Sequence, residues 1–198
     1  MTICARSDVA CTIAHMYLLS THNFTAAVGG LALLLVTIIL FIDYFIFKGK
    51  YFTDIMKETA WFSIIAVTVG STVLSLIYSE YFKFVPCSLC WLQRIAIYPQ
   101  ALMSFVAFKK KDTEMFPLYG IVLSIFGLVV ALYQYIYQLI PPAVREAGIA
   151  PCLIDGSNAD CAVKVINEFG FVTFPLLSAI SFAFLIIVYL YMLRANRE

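Results

Sequence analysis

The sequence predicts an all-α membrane protein: a four-helix transmembrane bundle core with one extra transmembrane helix on its N-terminal side. Two observations predict it. Hydrophobic residues make up 63% of the chain and charged residues 13%, whereas a soluble domain is about half apolar and about a quarter charged. Apolar runs long enough to cross a ~30 Å hydrocarbon core also recur along the chain. Only helices and closed barrels satisfy their backbone polar groups in lipid, and continuous apolar runs exclude the alternating pattern of a barrel strand. The net charge of +1 argues against nucleic acid as a partner.

The first run, "FTAAVGGLALLLVTIILFIDYFIF" at 24–47, is too long for a signal-peptide core and is followed, not preceded, by lysines. The second is "WFSIIAVTVGSTVLSLIY" at 61–78. The third starts at the Cys-x-x-Cys of "PCSLCWLQRIAIYP" and runs over 88–108, interrupted by Gln93, Arg94, Pro99 and Gln100. The fourth spans 116–140 and the last 171–193. Pro141 and Pro142 stop the fourth helix. They open a segment over 141–170 with no core of its own, in which "DCAVKVINEFG" has the pattern of a short amphipathic surface helix.

Lysine and arginine set the orientation. Lys48, Lys50, Lys57, Lys109, Lys110, Lys111, Arg194 and Arg197 fall on alternate connections, which are expected to be cytoplasmic. Residues 1–23, 79–88 and 141–170, which carry Arg6, Lys83, Arg145 and Lys164 spread over more residues, then face outward, with the N-terminus outside and the C-terminus inside. All six cysteines (Cys4, Cys11, Cys87, Cys90, Cys152 and Cys161) lie on or near that outer face, which suits an oxidising compartment.

The stretch "PCSLC" begins a helix, since Pro86 is at home near a helix start. A helix N-terminus carries free N–H groups and partial positive charge, both of which favour the reactive thiolate. Arg94, four residues after Cys90, falls on the same helix face one turn deeper. There it either supports Cys90, anchors an electronegative ligand, or snorkels to the headgroups. Cys152 and Cys161 would close a small loop around "LIDGSNAD", either as a structural staple or as an exchangeable disulfide. A four-thiolate metal site is disfavoured, because the second pair is too widely spaced and His15 and His22 lie far off in the N-terminal segment.

The stretch "PCSLCWLQRIAIYP", with "SEYFKFVPC" at 79–87 and "NEFGFVTFPLLS" at 167–178, resembles the DsbB/BdbC family of disulfide-bond formation proteins. The likeness covers roughly 58–195, leaving 1–57 as an extra segment. The resemblance implies a quinone-dependent thiol oxidase of a bacterial cytoplasmic membrane. Such an enzyme reoxidises a DsbA-like thioredoxin-fold partner outside the membrane and passes electrons to ubiquinone or menaquinone in the bilayer. It implies that Cys152 is attacked by the reduced partner, that Cys161 pairs with it and links transiently to Cys87, and that Cys90 contacts the quinone. Arg94 would fix the quinone ring, Gln93 and Tyr98 would belong to the same pocket, and Glu80 would handle protons.

Two features depart from the family. Gln134 stands where relatives often carry histidine, and residues 1–57 add a helix and the pair Cys4/Cys11. Met56, just before the family-like core, offers an alternative start. Three other readings compete. A vitamin-K-epoxide-reductase-like protein would carry its Cys-x-x-Cys after the loop pair, and here it comes first. A membrane scaffold would have structural disulfides that resist reduction. A small transporter or metal-handling protein would use Asp43 and Glu80 as ligands.

Overall fold

The computed structural model describes residues 9–141 and 161–196, with side chains from residue 13 onward. The side chains of Cys4, Cys11 and Cys152, and with them Arg145, Arg197 and the proposed loop pairing, lie outside the described residues. The described residues include five long helices: α1 (Val9–Phe45), α2 (Thr53–Leu76), α3 (Ser88–Lys110), α4 (Met115–Leu139) and α5 (Phe174–Ala195). A π-helical turn over Ile77–Tyr81 extends α2. The described residues form a transmembrane helical bundle, as the composition predicts.

The helix α5 is the hub. It packs against α1, α2 and α4, and the ring closes through α2–α3 and α3–α4 contacts. Tyr189, Tyr191, Leu185 and Val188 on α5 are fully enclosed. Two glycines let α4 approach it closely: a Cβ at Gly120 would strike the Tyr189 ring, and one at Gly127 the Phe182 ring. Small residues at such contacts drive association in lipid, where burial of apolar surface gains nothing.

Among the described residues, α1, α2 with its π turn, α4 and α5 are apolar enough to cross a membrane on composition alone. The helix α3 is built differently. Gln93, Arg94, Gln100 and Ser104 are buried inside the bundle, while Trp91, Ile95, Leu102 and Val106 face outward. Its polar groups find internal partners. Gln100 Oε1 accepts from Ser124 Oγ (3.2 Å) and Tyr189 OH (2.9 Å), and its Nε2 donates to the Ala96 carbonyl (2.9 Å).

Three expectations need correction. The helix α1 starts at Val9, not near residue 24, and is 37 residues long. At ~1.5 Å per residue it spans about 55 Å, well beyond a ~30 Å core. Its early turns lack an apolar run but pack His15 and His22 against Phe82. The helix α2 likewise starts earlier than expected, at Thr53.

The third correction concerns the amphipathic helix expected in "DCAVKVINEFG". Residues 161–173 instead form turns and a bridge in which Glu168 and Val172 exchange backbone hydrogen bonds (3.1 and 3.0 Å). Phe169 and Gly170 take left-handed backbone in that turn. Ile166 and Val172 are completely buried against Tyr78, Phe82 and Leu177, and that burial outweighs the gain from a surface helix.

The end of the bundle with the 46–52 and 111–114 connections is closed by Asp43. Its carboxylate accepts from Tyr191 OH (2.8 Å) and from the backbone N–H groups of Tyr51 (3.3 Å) and Phe52 (3.2 Å). At the same end Arg194 lies over Tyr44 and Asn196 bonds the Thr113 carbonyl. The connections bearing Lys48, Lys50 and Lys111 therefore share one end of the bundle, while Lys83 and Lys164 lie toward the other. The cysteines Cys87, Cys90 and Cys161 share the other.

Candidate active site

The site grows from the start of α3. Cys87 is the N-cap of α3, in extended backbone, and its Sγ accepts from the Cys90 N–H (3.3 Å). One helical turn then brings the two sulfurs within 2.7 Å of each other. Cys87 is buried and Cys90 partly so.

Cys161 comes to the same place from the distant loop. It takes part in a disulfide, its other half lying outside the described residues. Its side chain is enclosed with Cys87 and Leu89, and its Sγ lies 3.9 Å from Ser88 Oγ, between the two helix cysteines in sequence. Gln138 on α4 holds it there, donating from Nε2 to the carbonyls of Cys161 (3.2 Å) and Val163 (3.3 Å). Two sulfur centres thus meet at the head of one helix.

Gln134, one turn before Gln138, organises the pair. Its Nε2 donates to Cys87 Sγ (3.3 Å) and Cys90 Sγ (3.5 Å), and its Oε1 accepts from Gln93 Nε2 (2.6 Å). Arg94 turns toward α2, where Nε donates to Ser75 Oγ (3.0 Å) and an Nη to the Ser75 carbonyl (3.1 Å). The rings of Trp91 and Tyr98 flank the guanidinium at 5.2 and 5.9 Å. Two of the fork's five donors are engaged this way.

Below the cysteines lies a cavity of about 150 Å³. Cys90, Gln93, Arg94, Gln134 and Gln138 line it on one side, several serines and Lys164 add further polar groups, and apolar side chains such as Leu74, Phe84, Phe174 and Phe182 make up most of the wall. Gln138 is 7% exposed, and its Oε1 is buried without a hydrogen-bond partner.

Of the residues singled out from sequence, Cys87, Cys90, Gln93, Arg94 and Cys161 come together. Tyr98 does not line the cavity; its OH donates to Ser75 Oγ (3.3 Å), so it braces Arg94 from behind. Glu80 is exposed on the π turn, where its Oε1 accepts from Ser79 Oγ (3.3 Å); Ser79 lines the cavity and Glu80 does not. Sequence reasoning missed Ser75 and Gln138 and treated Gln134 only as a departure. Gln134 and Gln138 are four apart in an otherwise apolar helix, a buried polar pair that the pattern alone could have flagged.

A close dithiol at the head of a membrane helix, a disulfide cysteine beside it and an apolar cavity beneath define a membrane thiol–disulfide oxidoreductase. Comparison with known proteins agrees. Residues 57–192 match the family model for disulfide bond formation protein DsbB. Disulfide bond formation protein C of Bacillus subtilis (strain 168) is 37% identical over 124 residues, 63% of this chain and 84% of that protein. A probable disulfide formation protein C 2 of Bacillus anthracis is 31% identical over 132 residues, 67% of this chain and 88% of that protein. The SPbeta prophage-derived disulfide bond formation protein B of Bacillus subtilis (strain 168) is 40% identical over 112 residues, 57% and 70% of the two chains. No solved structure matches the chain. The chain belongs to the DsbB family of disulfide bond formation proteins.

Proposed function

We propose that the protein is a thiol:quinone oxidoreductase of the bacterial cytoplasmic membrane that reoxidises a DsbA-like thioredoxin-fold disulfide donor outside that membrane. In this reading the partner's two thiols reduce the Cys152–Cys161 disulfide, and the partner leaves as a disulfide. The loop dithiol in turn reduces the Cys87–Cys90 disulfide through a mixed disulfide of Cys161 with Cys87. Two electrons and two protons move at each exchange. The observation that carries the proposal is the meeting of Cys161 with the head of α3 directly above a cavity that Cys90 lines.

The residues present fit a quinone. The cavity is mostly apolar, Arg94 brings unused donors to its wall for a carbonyl oxygen, and Gln138 offers a buried acceptor for a hydroxyl. A bound quinone supplies the sink for two electrons and two protons. The chain's own part is to hold Cys90 against the cavity through Gln134, to fix Arg94 through Ser75 and Tyr98, and to exclude water with the aromatic wall. In this reading Glu80, exposed on the π turn, exchanges protons with solvent.

The test is quinone reduction by purified protein supplied with a reduced thioredoxin-fold oxidase, comparing wild type with Cys90→Ser. Turnover that disappears in the variant while the protein stays folded supports the relay. Turnover that persists in Cys90→Ser refutes it.

A further inference from the structure

The first helix, α1, lies outside the 57–192 family match, yet it reaches into the redox site through one residue. Asn23 is a polar side chain at 9% exposure in the half of α1 nearest the cysteines, far along the helix from Asp43. Its Oδ1 accepts from Tyr78 OH at 2.6 Å, and its Nδ2 donates to the Val165 carbonyl at 3.4 Å. Both partners line the cavity. Tyr78 belongs to the π turn and packs edge-on against Phe174 at the head of α5 (4.7 Å, 89°). Val165 is four residues after Cys161, on the strand of chain that Gln138 pins at Cys161 and Val163.

The seat for Asn23 is built to match. One turn further along α1, Ala27 is fully buried in a cluster with Tyr78, Phe82, Ile166, Val172 and Leu177. Gly30 lets the helix close onto Leu177. A buried amide in such surroundings is retained only when its hydrogen bonds are made, and the two that Asn23 makes tie together three separate pieces of chain.

We infer that α1 is a built-in positioning element of the relay: Asn23 latches the cavity wall at Tyr78 to the Cys161-bearing segment, and so holds Cys161 over the head of α3 for exchange with Cys87. The inference rests on the relay proposed above. The step it serves is balanced within the protein. The loop dithiol loses two electrons and two protons and forms an S–S bond, as the Cys87–Cys90 bond breaks and takes them up. Asn23 touches neither sulfur, so its role is positional.

The test uses full-length protein in lipid nanodiscs, as wild type, Asn23→Leu and Asn23→Ala. Thr25→Val serves as a control, because Thr25 is exposed and bonds only to its own helix. Each is fully reduced with a dithiol, freed of it and mixed with excess short-chain benzoquinone while thiols are trapped over time. The expected result is a first phase, oxidation of Cys87/Cys90, that is unchanged. The second phase, transfer from the loop pair, slows about tenfold in both Asn23 variants, on the scale of losing one or two buried hydrogen bonds. Hydrogen exchange over 161–166 rises in parallel, and Thr25→Val behaves as wild type.

A second phase at the wild-type rate overturns the inference, as does equal slowing of both phases, which would mark a general loss of packing. Absence of a first phase in wild type overturns the quinone reading instead. The latch is then judged by hydrogen exchange alone, where unchanged protection over 161–166 in Asn23→Leu rejects it.

Discussion

The amide of Gln134 bridges Cys87 and Cys90: its Nε2 stands 3.3 Å from one sulfur and 3.5 Å from the other, while Gln93 holds its Oε1 at 2.6 Å. A neutral amide therefore does the orienting at a position where the family resemblance suggests a histidine. Nothing in this arrangement requires a group that titrates. What it requires is an N–H aimed at the sulfurs.

Gln134→Leu removes that donor and strips Gln93 of its acceptor, an unsatisfied buried group costing ~1–3 kcal/mol. Quinone reduction with a thiol donor is expected to fall about tenfold, on that same scale. Gln134→His, whose ring nitrogen also donates, is expected to keep most of it. Steady-state rates of the three proteins decide, and a Leu variant at the wild-type rate removes Gln134 from the site.

Arg94 grips Ser75 with two nitrogens at once. Lysine is a point charge and cannot reproduce that fork. Arg94→Lys is expected to raise the KM for quinone roughly tenfold, the equivalent of ~1.4 kcal/mol, with a smaller change in kcat. Titrating the quinone at saturating thiol donor separates the two constants, and an unchanged KM would move Arg94 to a purely structural role.

Asp43 is a structural group at the opposite end of the bundle from the cysteines. Asp43→Ala leaves Tyr191 OH and the N–H groups of Tyr51 and Phe52 without their acceptor, a loss of ~2–4 kcal/mol for more than one buried group. The thermal midpoint in detergent is expected to drop, while turnover at low temperature stays near wild type. Lost turnover in a folded variant would revive the reading of Asp43 as a ligand in a transport path.

Gly127 faces the Phe182 ring with no room for a side chain, whereas Gly29 has nothing within 4 Å of a Cβ. Gly127→Val should cost ~1–3 kcal/mol through overpacking of α4 on α5, and Gly29→Ala should be close to neutral. Thermal midpoints of the two variants, measured side by side, check the contrast.

Much of the molecule was legible before any fold. Apolar runs marked four of the five described helices, because a membrane span must be long and continuous to satisfy its backbone; α3, interrupted by polar residues, was marked by its Cys-x-x-Cys start instead. The head of α3 was legible at Pro86–Cys90, because caps and helix starts are local. The start of α1 was not, because residues 9–23 carry no apolar run and are organised as helix by contacts with Phe82 and Val165. The segment after Cys161 also misled: its alternation of apolar and polar residues fits a surface helix, but Ile166 and Val172 are taken into the core.

By itself the sequence determined the class of protein, the rough place of its apolar spans, the grouping of Lys48, Lys50 and Lys57 with Lys109, Lys110 and Lys111, and the cysteine pair at the head of α3. These are matters of composition and near-neighbour spacing, which lipid and helix geometry read directly. Only the tertiary structure decided which groups those thiols meet. Gln134, Gln138 and Asn23 lie more than 40 residues from Cys87 and Cys90 along the chain, Ser75 lies 12 residues before Cys87, and the four stand on three other helices. Their relation to the sulfurs exists only once α2, α3 and α4 are packed around α5 with α1 laid against it.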